Sequence, residues 1–140
     1  MKVYAKGYLC DASDSHEKLK RELSAANEKA VVQAFRARSR NEAFFGMLAA
    51  QTLHAESSGT LLARKPEIDL LLRLAGTTQI SAAIKGRGAR GGEPFVLLVA
   101  GTSEPKGAKA LGGKRLGRGK LTNVELGQVE RAALLSARRS

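Results

Sequence analysis

The segment Pro94–Gly101 constrains the fold more than any other part of this sequence. Five consecutive apolar residues, Phe95 to Val99, include the β-formers Phe95, Val96 and Val99, and the flanking Pro94 and Gly101 bound the run. A continuous apolar run of this length is typical of a strand that is buried on both faces. Burial of five such side chains contributes about 10 kcal/mol before the entropy cost. We therefore expect this strand to lie at the centre of a sheet.

A second apolar run, Pro66–Gly76, admits two interpretations. Pro66 suits the first position of a helix, whereas the dense run of Leu residues before Gly76 is also typical of a buried strand. The strand is favoured, because Thr77 can cap a separate short helix that spans residues 79–85 and ends at Gly86.

Residue patterns in the N-terminal half predict two further strands and two helices. Alternation with a period of two predicts a strand over 2–9, and β-branched and aromatic residues predict another over 30–37. The capping box Asp14–Glu17 predicts a helix to about Asn27. A second box, Ser39–Glu42, precedes apolar residues at helical spacing that end at Gly59.

The C-terminal third is less regular, and it completes a predicted α/β (α+β) fold. Residues 102–120 form a basic Gly/Lys-rich loop. Thr122–Glu125 is a capping box for a short helix, a closing strand is predicted over 129–135, and a basic tail follows from Ala137. The prediction is a single domain over residues 1–140, with a mixed central sheet of about four to five strands flanked by helices.

The charge is the most informative bulk property. The chain carries 24 Lys and Arg against 13 Asp and Glu, a net charge of +11, and residues 85–140 hold 12 of the basic residues against 4 acidic ones. Such a concentration is typical of a phosphate-binding surface, although a solubility surface would have the same charge. With four Phe, two Tyr and no Trp, stacking platforms for bases are disfavoured.

Two Gly-spaced basic segments are the candidates for RNA contact. They are Lys85–Gly92 and Gly112–Lys120, in which Arg side chains can fork onto phosphates while Gly permits close approach. The alternative is a pair of solvated loops. If four to six of these charges contact phosphates, log affinity falls with log salt at a slope of about −3 to −5.

The sequence matches to catalytic and nucleotide-binding motifs lie in the wrong structural context or lack the required spacing. Gly86–Gly91 matches G-x-G-x-x-G, but it follows a predicted helix and precedes a strand, the reverse of a dinucleotide site. His16, His54 and Cys10 lack the spacing of metal ligands. We therefore expect no enzyme activity, no metal and no small-molecule cofactor.

The expected compartment is the cytoplasm. One cysteine cannot form an internal disulfide, no apolar stretch approaches the roughly 20 residues of a membrane span, and the N-terminal residues lack the apolar run of a signal peptide. No membrane association is predicted.

One segment carries a resemblance to a known family. Residues 61–80, LLARKPEIDLLLRLAGTTQI, resemble the signature of the kinase-binding and tRNA-binding subunits of the KEOPS complex, which makes threonylcarbamoyladenosine in tRNA. Residues 129–135, VERAALL, resemble the closing motif of that family. The resemblance implies an archaeal member that is a regulatory subunit, binds the complex's small RIO-like kinase and recruits tRNA, including its 3′ acceptor end.

The resemblance also implies roles for particular residues. The implied kinase interface or its support consists of Leu74, Thr77, Gln79, Ile80 and Ile84. The implied tRNA contacts are Arg64, Lys65, Arg73 and Lys85. The two basic segments add further predicted RNA contacts, namely Arg87, Arg90, Lys114, Arg115, Arg118 and Lys120.

Two other functions remain open on the sequence. A small basic ribosomal or ribonucleoprotein domain needs the same charge but no kinase partner. A small RNA-modifying enzyme needs a pocket with a perturbed acid or base.

Overall fold

The most apolar run forms the central strand of the sheet. In the computed structural model, which describes residues 1–106 and 114–139, four strands pair in the order β2-β3-β1-β4. They are β1 (Tyr4–Cys10), β2 (Val31–Arg36), β3 (Phe95–Gly101) and β4 (Lys114–Arg115). All seven residues of β3 are buried, because β1 and β2 flank this strand and helices cover both faces. The prediction of a central strand is confirmed.

Alternation along β3 feeds two apolar cores. Val96, Leu98 and Ala100 face the larger core, whereas Phe95, Leu97 and Val99 face the smaller one. Helix α1 (His16–Ala26) covers the smaller core through Leu19 and Leu23. The larger core is covered by α2 (Glu42–Ser58), α3 (Pro66–Ala75) and α5 (Asn123–Arg139), and α4 (Ile80–Arg87) packs on α3.

The single-domain α+β fold with four strands is confirmed, but the sheet is not mixed. Each of the three strand pairings is antiparallel. The prediction of a mixed sheet depended on extra strands at 66–76 and 129–135, and both segments are helical.

The predicted strand over 66–76 is wrong. This segment is α3, with Pro66 in its first turn and Gly76 at its C-terminal end in the left-handed region at φ 71°. The Gly76 N–H donates to the Leu72 carbonyl at 2.9 Å. Because the sheet, α2, α4 and α5 all pack against α3, each residue from Asp69 to Leu74 is buried. A helix buried in this way has the same composition as a buried strand.

The predicted closing strand over 129–135 is also wrong. The capping box is confirmed, because the Glu125 N–H donates to Thr122 Oγ1 at 3.1 Å and the Thr122 N–H donates to Glu125 Oε1 at 3.0 Å. The helix that follows is long, not short, and includes residues 137–139 of the predicted tail. Ala132 and Leu135 are buried three residues apart, which is the spacing of a helix.

Three helix boundaries differ by a small number of residues from the prediction. Ser15, not Asp14, caps α1 by accepting the Lys18 N–H at 3.3 Å. Asn41, not Ser39, caps α2 by accepting the Ala43 N–H. Helix α4 continues through Gly86 to Arg87. The predicted loop over 102–120 lies in part outside the described residues, at 107–113.

Candidate nucleic-acid interface

The predicted RNA-contacting residues occupy three kinds of environment. One is buried, one is half-buried, and the remainder are exposed. The buried residue is Arg73 and the half-buried one is Arg87; the exposed ones are Arg64, Lys65, Lys85, Arg90, Lys114, Arg115, Arg118 and Lys120.

Arg73 is a structural residue and not a surface contact. Only 2% of it is exposed. Its Nε donates to Asp69 Oδ1 at 2.6 Å, and its Nη2 donates to Asp69 Oδ2 at 3.2 Å. The guanidinium also donates to the Ala132 carbonyl at 3.2 Å and to Ser136 Oγ at 3.0 Å, which joins α3 to α5. The assignment of Arg73 to tRNA is therefore corrected, because RNA cannot reach its donors.

Arg115 and Arg118 are exposed but share a buried carboxylate. Glu42, of which 1% is exposed, accepts Arg115 Nε at 2.5 Å, Arg118 Nε at 2.6 Å and the Gly7 N–H at 2.9 Å. Burial acts to raise the pKa of Glu42, but the hydrogen bonds from Arg115, Gly7 and Arg118 outweigh it, so the pKa lies below its ordinary value. Glu42 therefore neutralises part of the positive charge in this basic segment.

Contacts with β1 and with the start of α2 fix the position of the C-terminal basic segment. The Leu116 N–H donates to the Gly7 carbonyl at 2.8 Å, and a Cβ on Gly7 would lie 2.7 Å from Leu116 Cδ1. Asn41 accepts the Gly119 N–H at 3.2 Å and donates to the Gly119 carbonyl at 3.1 Å. The described part of this segment is thus held against β1 and α2, and the alternative of a wholly solvated loop does not fit it.

The other basic segment, at the end of α4, is held by guanidinium groups. Arg36 Nη2 donates to the Lys85 carbonyl at 2.7 Å, and Arg90 Nη2 donates to the same carbonyl at 3.0 Å. Gly88 forms an isolated bridge with Phe35 at the end of β2. The side chains of Lys85 and Arg87 thus extend from the last turn of α4, beside the end of β2.

Three arginines from two distant parts of the chain line one cleft, which we name the arginine cleft. Arg38 and Arg40 come from the turn between β2 and α2, and Arg87 comes from the end of α4. Ser39, Thr122, Val124, Glu125 and Gln128 complete the lining. Arg38 and Arg40 were not among the predicted contacts, although alternate arginines at positions 36, 38 and 40, at the end of a predicted strand, indicate a basic edge.

The residues assigned to a kinase interface divide into support and surface. Leu74 is buried at 4% exposure in the larger core, so it supports the surface and is not part of it. Ile80 and Ile84 are 46% and 51% exposed, one helical turn apart on α4. Thr77 is half-buried and Gln79 is exposed; Thr77 Oγ1 accepts the Gln79 N–H at 3.1 Å.

Groups with reactive chemistry are few. Within residues 1–106 and 114–139, no three His, Cys, Asp or Glu side chains converge in a way that could hold a metal ion. Burial raises the pKa of the Cys10 thiol to about 11, which disfavours the nucleophilic thiolate. Of the helices described, none has the length and apolar character to cross a bilayer.

Comparison with known proteins provides one informative similarity. The chain matches no family model. It is 37% identical over 101 residues to the KEOPS complex subunit Cgi121 of Pyrococcus abyssi. The matched region covers 71% of this chain and 56% of that protein, so the chain spans little more than half of the relative's length. This similarity supports the Cgi121 family of KEOPS subunits, without indicating a particular member.

Proposed function

We propose that the chain is a non-catalytic regulatory subunit of a KEOPS complex that acts in the cytoplasm, binds the small RIO-like kinase of the complex and recruits tRNA. The observation that carries the proposal is the 37% identity with a KEOPS subunit over 101 residues. The net charge of +11 supports contact with a polyanion.

The proposed kinase contact is the exposed apolar face of α4. Ile80 and Ile84 stand one turn apart and are about half exposed, and Gln79 lies just before them. Apolar side chains on one face of a short helix, surrounded by polar residues, are typical of a protein-binding surface. Helix α4 packs on α3, so this face is presented from a firm support.

Isothermal titration with the RIO-like kinase tests this part of the proposal. The variant Ile84→Gln should weaken kinase binding about tenfold, because a central apolar contact is replaced by a polar amide. Met47→Gln is the matched control, since Met47 is 43% exposed on α2, and it should change the affinity by less than about threefold. Absence of a complex with the unmodified chain would instead favour a ribonucleoprotein domain.

Filter binding with two RNAs tests the proposed tRNA contact. Full-length tRNA and tRNA lacking its 3′ end are titrated against the same chain at one salt concentration, because phosphate contacts depend on salt. Tighter binding of the full-length tRNA supports recognition of the acceptor end. Equal affinities would contradict that recognition while leaving RNA binding in place.

A further inference from the structure

Three arginines line the arginine cleft, an open depression of about 490 Å³. Its walls come from the β2–α2 turn, the end of α4 and the first turns of α5. Arg38 and Arg40 are exposed and Arg87 is half-buried. The fold therefore gathers in one place arginines that are about 50 residues apart in the sequence.

These arginines have no carboxylate partner in the part of the chain that the structure describes. Among the described residues, no Asp or Glu lies within salt-bridge distance of Arg38, Arg40 or Arg87, whereas Arg73, Arg115 and Arg118 all have such a partner. Glu125 is the acidic residue in the lining, and its carboxylate already accepts the Ser39 hydroxyl at 2.8 Å and the Thr122 N–H. Among the described residues, the lining of the cleft thus combines three arginines that form no salt bridge with one carboxylate.

The arrangement also has an electrostatic cost. Burial, and next the neighbouring charge of Arg38, lower the pKa of the Arg87 guanidinium. A bound anion would stabilise all three groups, because it replaces repulsion by attraction.

Hydrogen bonds fix the two chain segments that carry these arginines. The Arg38 N–H donates to the Arg36 carbonyl at 2.8 Å, and the bond from Ser39 to Glu125 joins the turn to α5. The Gly88 N–H donates to the Ile84 carbonyl at 2.9 Å, where a Cβ on Gly88 would lie 2.6 Å from that oxygen. Glycine is therefore required directly after Arg87.

We propose that the arginine cleft binds a backbone phosphate of RNA, an inference that rests on the proposed function. The two non-bridging oxygens of a backbone phosphate accept guanidinium donors from several directions, which suits arginines that come from two segments, the β2–α2 turn and the end of α4. The phosphate of an RNA chain is thus the ligand that this geometry favours.

The test compares two triple variants with equal charge. Arg38→Gln, Arg40→Gln and Arg87→Gln remove the cleft's charges. Lys18→Gln, Arg21→Gln and Lys29→Gln remove three exposed charges on or beside α1, which covers the other face of the sheet. Filter binding of tRNA between 50 and 300 mM KCl, roughly the range in which phosphate contacts dominate, gives affinity and salt slope. Thermal unfolding confirms that each variant is folded.

The cleft variant should lose about tenfold or more in affinity, and its salt slope should become shallower by about 2 to 3. The α1 variant should lose less than about threefold. A third variant combines Arg38→Lys, Arg40→Lys and Arg87→Lys. It retains the positive charges but loses the forked donors of the guanidinium groups, so it should bind tRNA more weakly and keep most of the salt slope. Equal losses in the cleft and α1 variants would overturn the proposal, because net charge alone would then explain binding.

Two further outcomes separate this inference from the proposed function. If the unmodified chain does not bind tRNA, the proposed function fails and the inference fails with it. If the chain binds tRNA and the cleft variant binds it equally well, the inference alone fails. If the cleft variant loses kinase binding while its tRNA affinity is unchanged, the inference is overturned and the cleft is a protein contact. Inorganic phosphate should compete with tRNA more strongly than chloride at equal ionic strength.

Discussion

Arginines in this molecule have roles that their surroundings decide. Arg73 lies in the core with Asp69, Arg115 and Arg118 share Glu42, and Arg87 faces a cleft without a carboxylate partner among the described residues. The same side chain thus stabilises a helix layer, anchors a segment or remains available for a ligand. The distinction depends on neighbours that are distant in the sequence.

Replacement of Arg73 should strongly reduce the stability of the fold without removing a contact to RNA. Arg73→Met leaves the buried Asp69 carboxylate without its ion-pair partner, so the free energy of unfolding should fall by about 3–5 kcal/mol. Urea unfolding measures this change. The double variant Asp69→Asn and Arg73→Met should lose less than the sum of the two single variants, because the charge pair is removed together. Additive losses would contradict a coupled pair.

At Glu42, we predict a contribution to stability that depends on pH. Its pKa is lowered in the folded state, so the stabilisation is complete above the unfolded pKa of about 4.3 and is lost as the pH falls through the lower folded pKa. Glu42→Gln should cost about 1–3 kcal/mol at pH 7, since charge-assisted hydrogen bonds are lost.

Denaturant unfolding between pH 7 and pH 3 tests the predicted pH dependence. The difference in the free energy of unfolding between wild type and Glu42→Gln should shrink below about pH 4. A difference that stays constant over this range would show that the carboxylate charge is not the cause. Amide exchange of Leu116 should also become faster in the variant, since the segment next to Gly7 is less firmly held.

At the scale of elements, helix ends are set by individual glycines and polar side chains. Gly76 ends α3 in the left-handed region at φ 71°, and a Cβ there would lie 3.1 Å from Arg131 Cδ. Gly86 instead lies inside α4, without positive φ and with open space around its Cα. The two glycines therefore have opposite energetic roles.

One substitution should have opposite effects at these two positions. Gly76→Ala should destabilise the fold by about 1–2 kcal/mol, because a residue with a Cβ is strained at positive φ. Gly86→Ala should stabilise it by about 0.5–1 kcal/mol, because alanine has the higher helix propensity. Thermal and urea unfolding of both variants measures the changes. Destabilisation by Gly86→Ala would show that α4 does not extend past Lys85.

At the scale of the whole molecule, the excess of positive charge is divided between neutralised and unpaired groups. The C-terminal basic segment is anchored through Glu42, while the arginine cleft, Arg64, Lys65 and Lys120 form no salt bridge with the described residues. Net charge therefore overstates the number of groups that are available to RNA.

Salt dependence of RNA binding should reflect the available groups. With four to six phosphate contacts, log affinity should fall with log salt at a slope of about −3 to −5. Measurement of tRNA affinity at several KCl concentrations checks this value. A slope shallower than about −1 would mean that phosphate contacts contribute little.

The sequence by itself determined the features that depend on local chemistry. The central strand Phe95–Gly101, the capping box at Thr122 and Glu125, and the left-handed end of α2 at Gly59 were predictable, because composition and nearest neighbours specify them. The class of fold followed from the order of these elements.

Tertiary structure decided the features that depend on burial and on distant partners. The run Pro66–Ala75 is a helix that the sheet and three helices surround, and a short apolar run such as Leu70–Leu72 does not by itself separate a buried helix from a buried strand. Arg73 is structural because Asp69, Ala132 and Ser136 receive its donors. The arginine cleft exists only where β2, α4 and α5 meet. Charge was visible in the sequence, but its availability to a ligand depends on which carboxylates the fold places beside it.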